Sequence, residues 1–145
     1  PIFAYYNGAT ALPEILRLTD PTQFDDLANG WTEDSPGDPR YDEGYSPSIA
    51  VDPDGNLAMA YYRCVRVNRG IGDCNTNDDA VVFAWSDAGI WVTEVVDEGG
   101  DGNCGMYPSL AFDSTGRAII GYQCVEQVGG AFEFQTKIAT RDPLL

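Results

Sequence analysis

The stretch YSPSIAVDPDGNLAMAYY at residues 45–62 occurs a second time, as MYPSLAFDSTGRAIIGYQ at residues 106–123. Six positions are identical at one constant offset of 61 residues, which carries Pro47 onto Pro108. The amino-terminal IFAYYN also overlays AMAYYR at an offset of 56 residues, which carries Ala4 onto Ala60. The chain therefore contains three copies of one unit, and the first copy lacks its opening.

Each copy consists of short apolar or alternating runs bounded by Asp, Gly, Pro and Asn, a pattern that predicts strands and turns. The tetrapeptides Asp52-Pro-Asp-Gly55 and Asp113-Ser-Thr-Gly116 are hairpin turns, in which Asp accepts backbone N–H groups and Gly supplies a positive φ. The middle copy has four predicted strands: Ser48 to Val51, Leu57 to Arg63, Ala80 to Trp85 and Trp91 to Val96.

A short apolar strand, a tight turn and a second apolar strand form the inner hairpin of a four-stranded antiparallel meander, the blade of an all-β propeller. The outer copies supply three strands each. In the first copy these are Ile2 to Tyr6, Glu14 to Leu18 and a weak strand near Trp31, and in the last they are Ser109 to Phe112, Ala118 to Cys124 and Phe132 to Ala139.

Ten strands at four to a blade amount to about 2.5 blades in a single propeller segment: a partial blade at 1–40, a blade at 41–100 and a partial blade at 101–145. Propellers close with roughly four to eight blades, and an open stack leaves apolar faces in water. We therefore expect a homo-oligomer, in which two copies supply five blades, or a second chain that completes the propeller. The start at Pro1 without an initiator Met suggests a piece of a longer product.

The repeated P-S-[IL]-A-x-D-x-x-G-x-[LA] hairpin and the segment Trp85-Ser-Asp-Ala-Gly-Ile-Trp91 resemble the bacterial β-propeller repeats of the BNR or Asp-box (sialidase-like) family. The Asp-box match is partial, because Ser86 directly precedes Asp87 where the family places Ser or Thr two positions before the Asp. The resemblance implies a fold and carries no activity, and the sialidase arginines, Tyr–Glu pair and Asp acid cannot be placed in this sequence.

The composition excludes several functions. A formal charge of −15 disfavours binding to nucleic acid or to an anionic membrane face, and no apolar run is long enough for membrane insertion. The absence of histidine excludes imidazole as a metal ligand or as a general base.

Four cysteines without a C-x-x-C pair predict two disulfides and an oxidising compartment: extracellular, cell-surface or periplasmic. In the repeat frame Cys104 lies close to Cys124 across a hairpin, and Cys64 with Cys74 is the complementary pair. The alternative of Cys64 with Cys124 joins equivalent corners of adjacent blades.

Two acidic loops are candidate Ca²⁺ sites. Asp73, Asn75, Asn77 and Asp79 place oxygen ligands at alternate positions, as an EF-hand loop does, although Asp78 replaces its Gly and Ala84 its bidentate Glu. The loop 97–103 contributes Asp97, Asp101 and Asn103 and corresponds to the loop 33–38 of the previous copy. A solvated polar loop is the alternative for both. The pair Asp52 and Asp54 is better explained by turn capping.

Three arginines fall in one corner of the middle copy: Arg63, Arg66 and Arg69. They suggest a clamp for an anionic ligand, whereas in so acidic a chain they are expected more often to pair with its own carboxylates. Loop aromatics offer a surface for stacking carbohydrate: Trp31, Tyr41, Tyr45 and Tyr107.

These observations predict a secreted or surface module that binds a glycan or protein ligand or takes part in assembly. The alternatives are part of a sialidase-like or other glycoside hydrolase, and a structural subunit that polymerises through its blade edges. No catalytic residue can be assigned.

Overall fold

The computed structural model describes residues 1–66, 79–87, 89–98 and 103–143. They form ten strands and one short 3₁₀ helix, Pro21–Gln23, so the all-β prediction is confirmed. No described segment is a helix of the length and apolar character needed to span a membrane. The strands are β1 (Ile2–Asn7), β2 (Leu12–Leu18), β3 (Trp31–Asp34), β4 (Tyr41–Val51), β5 (Leu57–Arg66), β6 (Ala80–Asp87), β7 (Ile90–Glu98), β8 (Asn103–Phe112), β9 (Ala118–Val128) and β10 (Ala131–Arg141).

The strands form three antiparallel sheets, each built from consecutive strands. Sheet 1 has the order β1-β2-β3, sheet 2 has the order β4-β5-β6-β7, and sheet 3 has the order β8-β9-β10. Sheet 2 is thus a four-stranded meander. Two copies of the chain would contribute six separate sheets rather than the five blades expected from strand counting.

The hairpin turns at the base of sheets 2 and 3 are capped by equivalent aspartates. The carboxylate of Asp52 accepts hydrogen bonds from the backbone N–H groups of Asp54 and Asn56, at 2.9 and 2.8 Å. Asp113 accepts equivalent bonds from Thr115 and Arg117. These contacts account for the repeated aspartate through turn capping, without a metal ion.

Sheet 2 lies between the other two sheets, and its central strands are buried on both faces. Along β5 the side chains alternate: Met59 and Tyr61 pack towards Ile15 of sheet 1, whereas Ala58 and Ala60 pack in the core that sheet 2 shares with sheet 3. This period-2 alternation with both faces apolar is typical of an internal sheet.

Two glycines bring neighbouring sheets into backbone contact. A Cβ atom on Gly44, at the start of sheet 2, would lie 2.3 Å from the backbone nitrogen of Pro13 in β2. A Cβ atom on Gly105, at the start of sheet 3, would lie 2.3 Å from the backbone nitrogen of Val81 in β6. The same strand-on-strand contact therefore occurs between sheets 1 and 2 and between sheets 2 and 3.

The strands that carry these glycines begin earlier than predicted. β4 begins at Tyr41 and β8 at Asn103, not at Ser48 and Ser109. Register shifts interrupt both pairings ahead of those serines. Gly44 and Gly105 have positive φ there, and so do Ser46 and Tyr107 two residues further on. This breaks the alternation that marks a strand in sequence.

Candidate functional site

Strand pairing identifies three equivalent positions, one in each sheet, on β2, β6 and β10. In sheet 2, Phe83 pairs with Ala60 of β5. In sheet 1, Ile15 pairs with Ala4, which the sequence repeat aligns with Ala60. In sheet 3, Ile138 pairs with Gly121, which the 61-residue offset aligns with Ala60 as well.

The three equivalent residues differ sharply in exposure. Ile15 and Phe83 are each 1% exposed, because the next sheet along the chain packs on them, whereas Ile138 is 71% exposed. No described residue covers the face of sheet 3 that carries Ile138. We call this surface the open face of sheet 3.

The open face of sheet 3 is uncharged, although the chain is strongly acidic. The register of β9 and β10 places Ile138, Phe134 and Phe132 on it, all of them exposed. The charged residues of these two strands lie on the opposite face. The rest of the open face includes small, polar or aliphatic side chains: Ser109, Ala111, Ile119, Gly121, Gln123, Val125, Thr136 and Thr140.

The outer face of sheet 1 has a different chemistry. The hydroxyl of Tyr5 donates to Glu14 at 2.8 Å and also to Glu33, and Asn7 donates to Glu14. Burial alone would raise the pKa of Glu14, but the hydrogen bonds from Asn7 and Tyr5 outweigh it and the pKa is lowered. This face therefore presents a hydrogen-bonded acidic cluster beside the exposed ring of Phe3.

The predicted arginine clamp is only partly described. The guanidinium of Arg63 lies 4.4 Å from the ring centre of Tyr41 and forms an ion pair with Glu98 at 3.6 Å. Arg63 thus contacts groups of the chain itself, as expected if the arginines pair with the chain's own carboxylates. The side chain of Arg66 and all of Arg69 lie outside the described residues.

Glu43 is a buried carboxylate that the sequence did not single out. It lines a pocket of about 190 Å³ with Arg63 and Asp38, and its Oε1 accepts hydrogen bonds from the Tyr61 hydroxyl at 3.2 Å and from the backbone N–H of Asp38. Burial raises the pKa of Glu43 to about 7, against the partial opposition of those hydrogen bonds and of Arg63.

Glu43 is expected to make stability fall as the pH rises. An unfolded Glu titrates near 4.5 and the folded group near 7, so the folded state binds more protons in this window and loses that advantage above it. The variant Glu43→Gln should match the native chain at pH 4.5 and exceed its free energy of unfolding by about 2–3 kcal/mol at pH 8. Urea unfolding at both pH values measures this.

The control for Glu43 is Glu133→Gln, which changes an exposed carboxylate of β10. Its effect on the free energy of unfolding should be small. If Glu43→Gln changed the free energy of unfolding equally at both pH values, the raised pKa of Glu43 would be contradicted.

The calcium candidates are also only partly described. Asp79 is fully buried at the start of β6 and accepts a hydrogen bond from Tyr62, which together with burial raises the pKa of that tyrosine. Asp97 accepts a hydrogen bond from Tyr122 at 2.8 Å and faces the Lys137 ammonium at 3.5 Å. Asn103 begins β8. The remaining predicted ligands lie outside the described residues: Asp73, Asn75, Asn77 and Asp101.

One predicted disulfide is present. Cys104 and Cys124 lie directly opposite each other in the β8–β9 register and are bonded, with Cα atoms 4.1 Å apart. The alternative of Cys64 with Cys124 is therefore wrong, while the pairing of Cys64 with Cys74 lies outside the described residues. Both bonded sulfurs are near Asp97, but as a disulfide they offer no thiolate to a metal ion.

The aromatic side chains proposed for carbohydrate stacking are largely used in packing. Trp31 is buried and contacts Phe24 and Phe3, and Tyr45 stacks on Tyr6 with ring centres 4.1 Å apart. Tyr41 lies under Arg63. Among the four candidates, Tyr107 alone is exposed.

No protein-family model matches the chain, and no curated protein or solved structure matches it either. The resemblance to Asp-box propellers therefore rests on the repeat and turn motifs alone.

Proposed function

We propose that the chain is a β-propeller segment that serves as a binding or assembly module and is completed at its outer sheets by self-association or by a second chain. The observation that carries this proposal is the exposure of Ile138 at a position where its two equivalents, Ile15 and Phe83, are buried. A third sheet-on-sheet contact of the kind that occurs twice within the chain would bury Ile138 as well.

The chemistry of the open face supports completion by another sheet. Phe132, Phe134 and Ile138 expose large apolar side chains, and burying apolar surface stabilises by about 25 cal/mol per Å². In an antiparallel protein, a sheet face that lies in water ordinarily carries charged or polar residues. Six sheets from two copies fall within the range of four to eight blades at which propellers close.

The setting that we propose is extracellular, cell-surface or periplasmic, which the disulfide between Cys104 and Cys124 supports. The ligand would be a glycan or a protein, since the charge of −15 opposes nucleic acid. Binding is favoured over glycoside hydrolysis, because Glu43, whose pKa is raised towards neutrality, is only 2% exposed. A glycan array combined with fluorogenic glycosides separates the two: binding without turnover supports the module, and turnover supports the hydrolase.

The assembly proposal is tested by two matched substitutions. Ile138→Lys places a charge on the open face of sheet 3, whereas Ile90→Lys places the same charge at a 70% exposed isoleucine beside the β6–β7 turn. We expect gel filtration to show a smaller particle for Ile138→Lys and no change for Ile90→Lys. Equal elution of both variants and the native chain would contradict a role for this face.

A further inference from the structure

One edge of the strand β1 pairs with no other described strand. In sheets 2 and 3 the strand equivalent to β1 lies between two neighbours, since β5 pairs with β4 and β6, and β9 pairs with β8 and β10. In sheet 1, β1 pairs with β2, and no described residue pairs with its other edge. Within the described part of the chain, sheet 1 has no counterpart of the strand with which the other two sheets begin.

The strands that fill this place in sheets 2 and 3 share one motif, Gly-x-x-Pro-Ser followed by Ile or Leu and Ala. They also share one register. Ser48 pairs with Ala60 in sheet 2, and Ser109 pairs with Gly121 in sheet 3. The equivalent position in β1 is Ala4, so a third strand of this kind would place its serine opposite Ala4 and its alanine opposite Ile2.

The backbone of β1 is oriented to accept such a strand. The N–H of Leu18 in β2 donates to the carbonyl of Pro1 at 3.1 Å, and consecutive residues of a strand direct their backbone groups to opposite edges. Phe3 therefore bonds towards β2, while Ile2 and Ala4 direct their backbone N–H and C=O groups to the free edge. Unpaired groups of this kind are a template for strand addition.

The serine of the motif also makes a contact between sheets. The backbone N–H of Leu110 in β8 donates to the hydroxyl of Ser48 in β4 at 3.0 Å, so this N–H points away from β9. In β4 the equivalent backbone N–H belongs to Ile49, because β4 and β8 share one register. This N–H would donate to the serine hydroxyl of a strand added to sheet 1. The motif thus matches both the edge of β1 and the neighbouring sheet.

We propose that the free edge of β1 binds an extended, antiparallel strand of the sequence type Gly-x-x-Pro-Ser-Ile/Leu-Ala. This inference rests on the proposed function, because it names the element that completes sheet 1. The partner is a segment with the chemistry of β4 itself, with Gly for the bulge, serine for the contact between sheets and a small residue opposite Ile2. It adds the hydrogen bonds that sheets 2 and 3 already have.

The test uses the synthetic peptide YDEGYSPSIAV, which has the sequence of β4, added to the full chain. Hydrogen exchange of the native chain and of its Ile138→Lys variant is followed with and without peptide. We expect the peptide to slow amide hydrogen exchange at Ile2 and Ala4 and to leave exchange in β10 unchanged.

Two N-methylated peptides sharpen the test. N-methylation at the position of Ala50 removes an N–H that faces the partner strand and should weaken binding roughly tenfold or more. N-methylation at Ile49 removes an N–H that faces away and should leave binding within about twofold of the parent peptide.

Absence of binding, protection confined to another edge, or equal binding of both methylated peptides would overturn the inference. These failures are distinguishable from failure of the proposed function, which is decided by the association of the native chain without peptide. A native chain that associates but ignores the peptide retains the proposed function and refutes the strand site. If the peptide binds but the chain stays monomeric, the strand site is retained and the proposed function is refuted.

Discussion

Replacing Gly105 with alanine is expected to lower the free energy of unfolding by about 2–6 kcal/mol, which is enough to unfold many domains. Two costs combine. Gly105 has a φ of +99°, a region that costs a residue with a Cβ about 1–3 kcal/mol. The new Cβ would also lie 2.3 Å from the backbone nitrogen of Val81, so sheet 3 must move away from sheet 2 at a further cost of about 1–3 kcal/mol.

Gly55 provides the matched control, because it has a similar φ of +90° and no atom within 4 Å of its hypothetical Cβ. Gly55→Ala should therefore cost only the conformational part, about 1–3 kcal/mol. Urea unfolding of both variants measures the difference. Equal losses would mean that the close approach of the two sheets does not contribute, and would contradict the packing described between sheets 2 and 3.

Removing the disulfide between Cys104 and Cys124 is expected to cost about 3 kcal/mol. The bond spans a sequence separation of 20 residues, and a loop of that size loses about 3 kcal/mol of unfolded-state entropy on cross-linking. Both cysteines are buried in the core between sheets 2 and 3. The double substitution Cys104→Ala and Cys124→Ala avoids leaving one reactive thiol in that core.

Thermal unfolding under oxidising conditions measures the loss, with mild reductant as the control. The native chain should lose stability in reductant, and the double variant should begin from the lower value. A double variant as stable as the native chain in the absence of reductant would show that this disulfide does not stabilise the fold.

Much of the architecture follows from the repeat. The turn at Asp113 and the strand that follows it are set by local chemistry, because Asp caps the turn and Gly116 supplies the positive φ. The apolar runs bounded by these turns locate the β5 and β9 strands at Leu57 and Ala118. Features that depend on neighbouring residues in the chain were therefore predictable.

Features that depend on contacts between sheets were not predictable in the same way. The early starts of β4 and β8 depend on bulges at Gly44 and Gly105, whose purpose appears only when the preceding sheet is placed beside them. Trp31 and Tyr45 occur in or beside loops in the sequence, yet the first is buried and the second stacks on Tyr6. Sequence position alone does not reveal such contacts.

The open face of sheet 3 left a signal in the sequence, but the strand register was needed to recognise it. Ile138 shares no motif with Ile15 or Phe83, and the equivalence emerges only from their partners Ala4, Ala60 and Gly121. A usable signal was the distribution of charge in the last strand, where alternate positions carry Glu133, Lys137 and Arg141 while the intervening ones carry none.

Sedimentation equilibrium of the native chain, with near-UV circular dichroism recorded on the same sample, tests most directly the claim that the outer sheets are completed by further sheets. We predict a mass above the 15.7 kDa of one chain, together with the dichroism of packed aromatic side chains and a shift towards the single-chain mass in Ile138→Lys. A folded particle of 15.7 kDa that stays monomeric at every concentration would contradict the account.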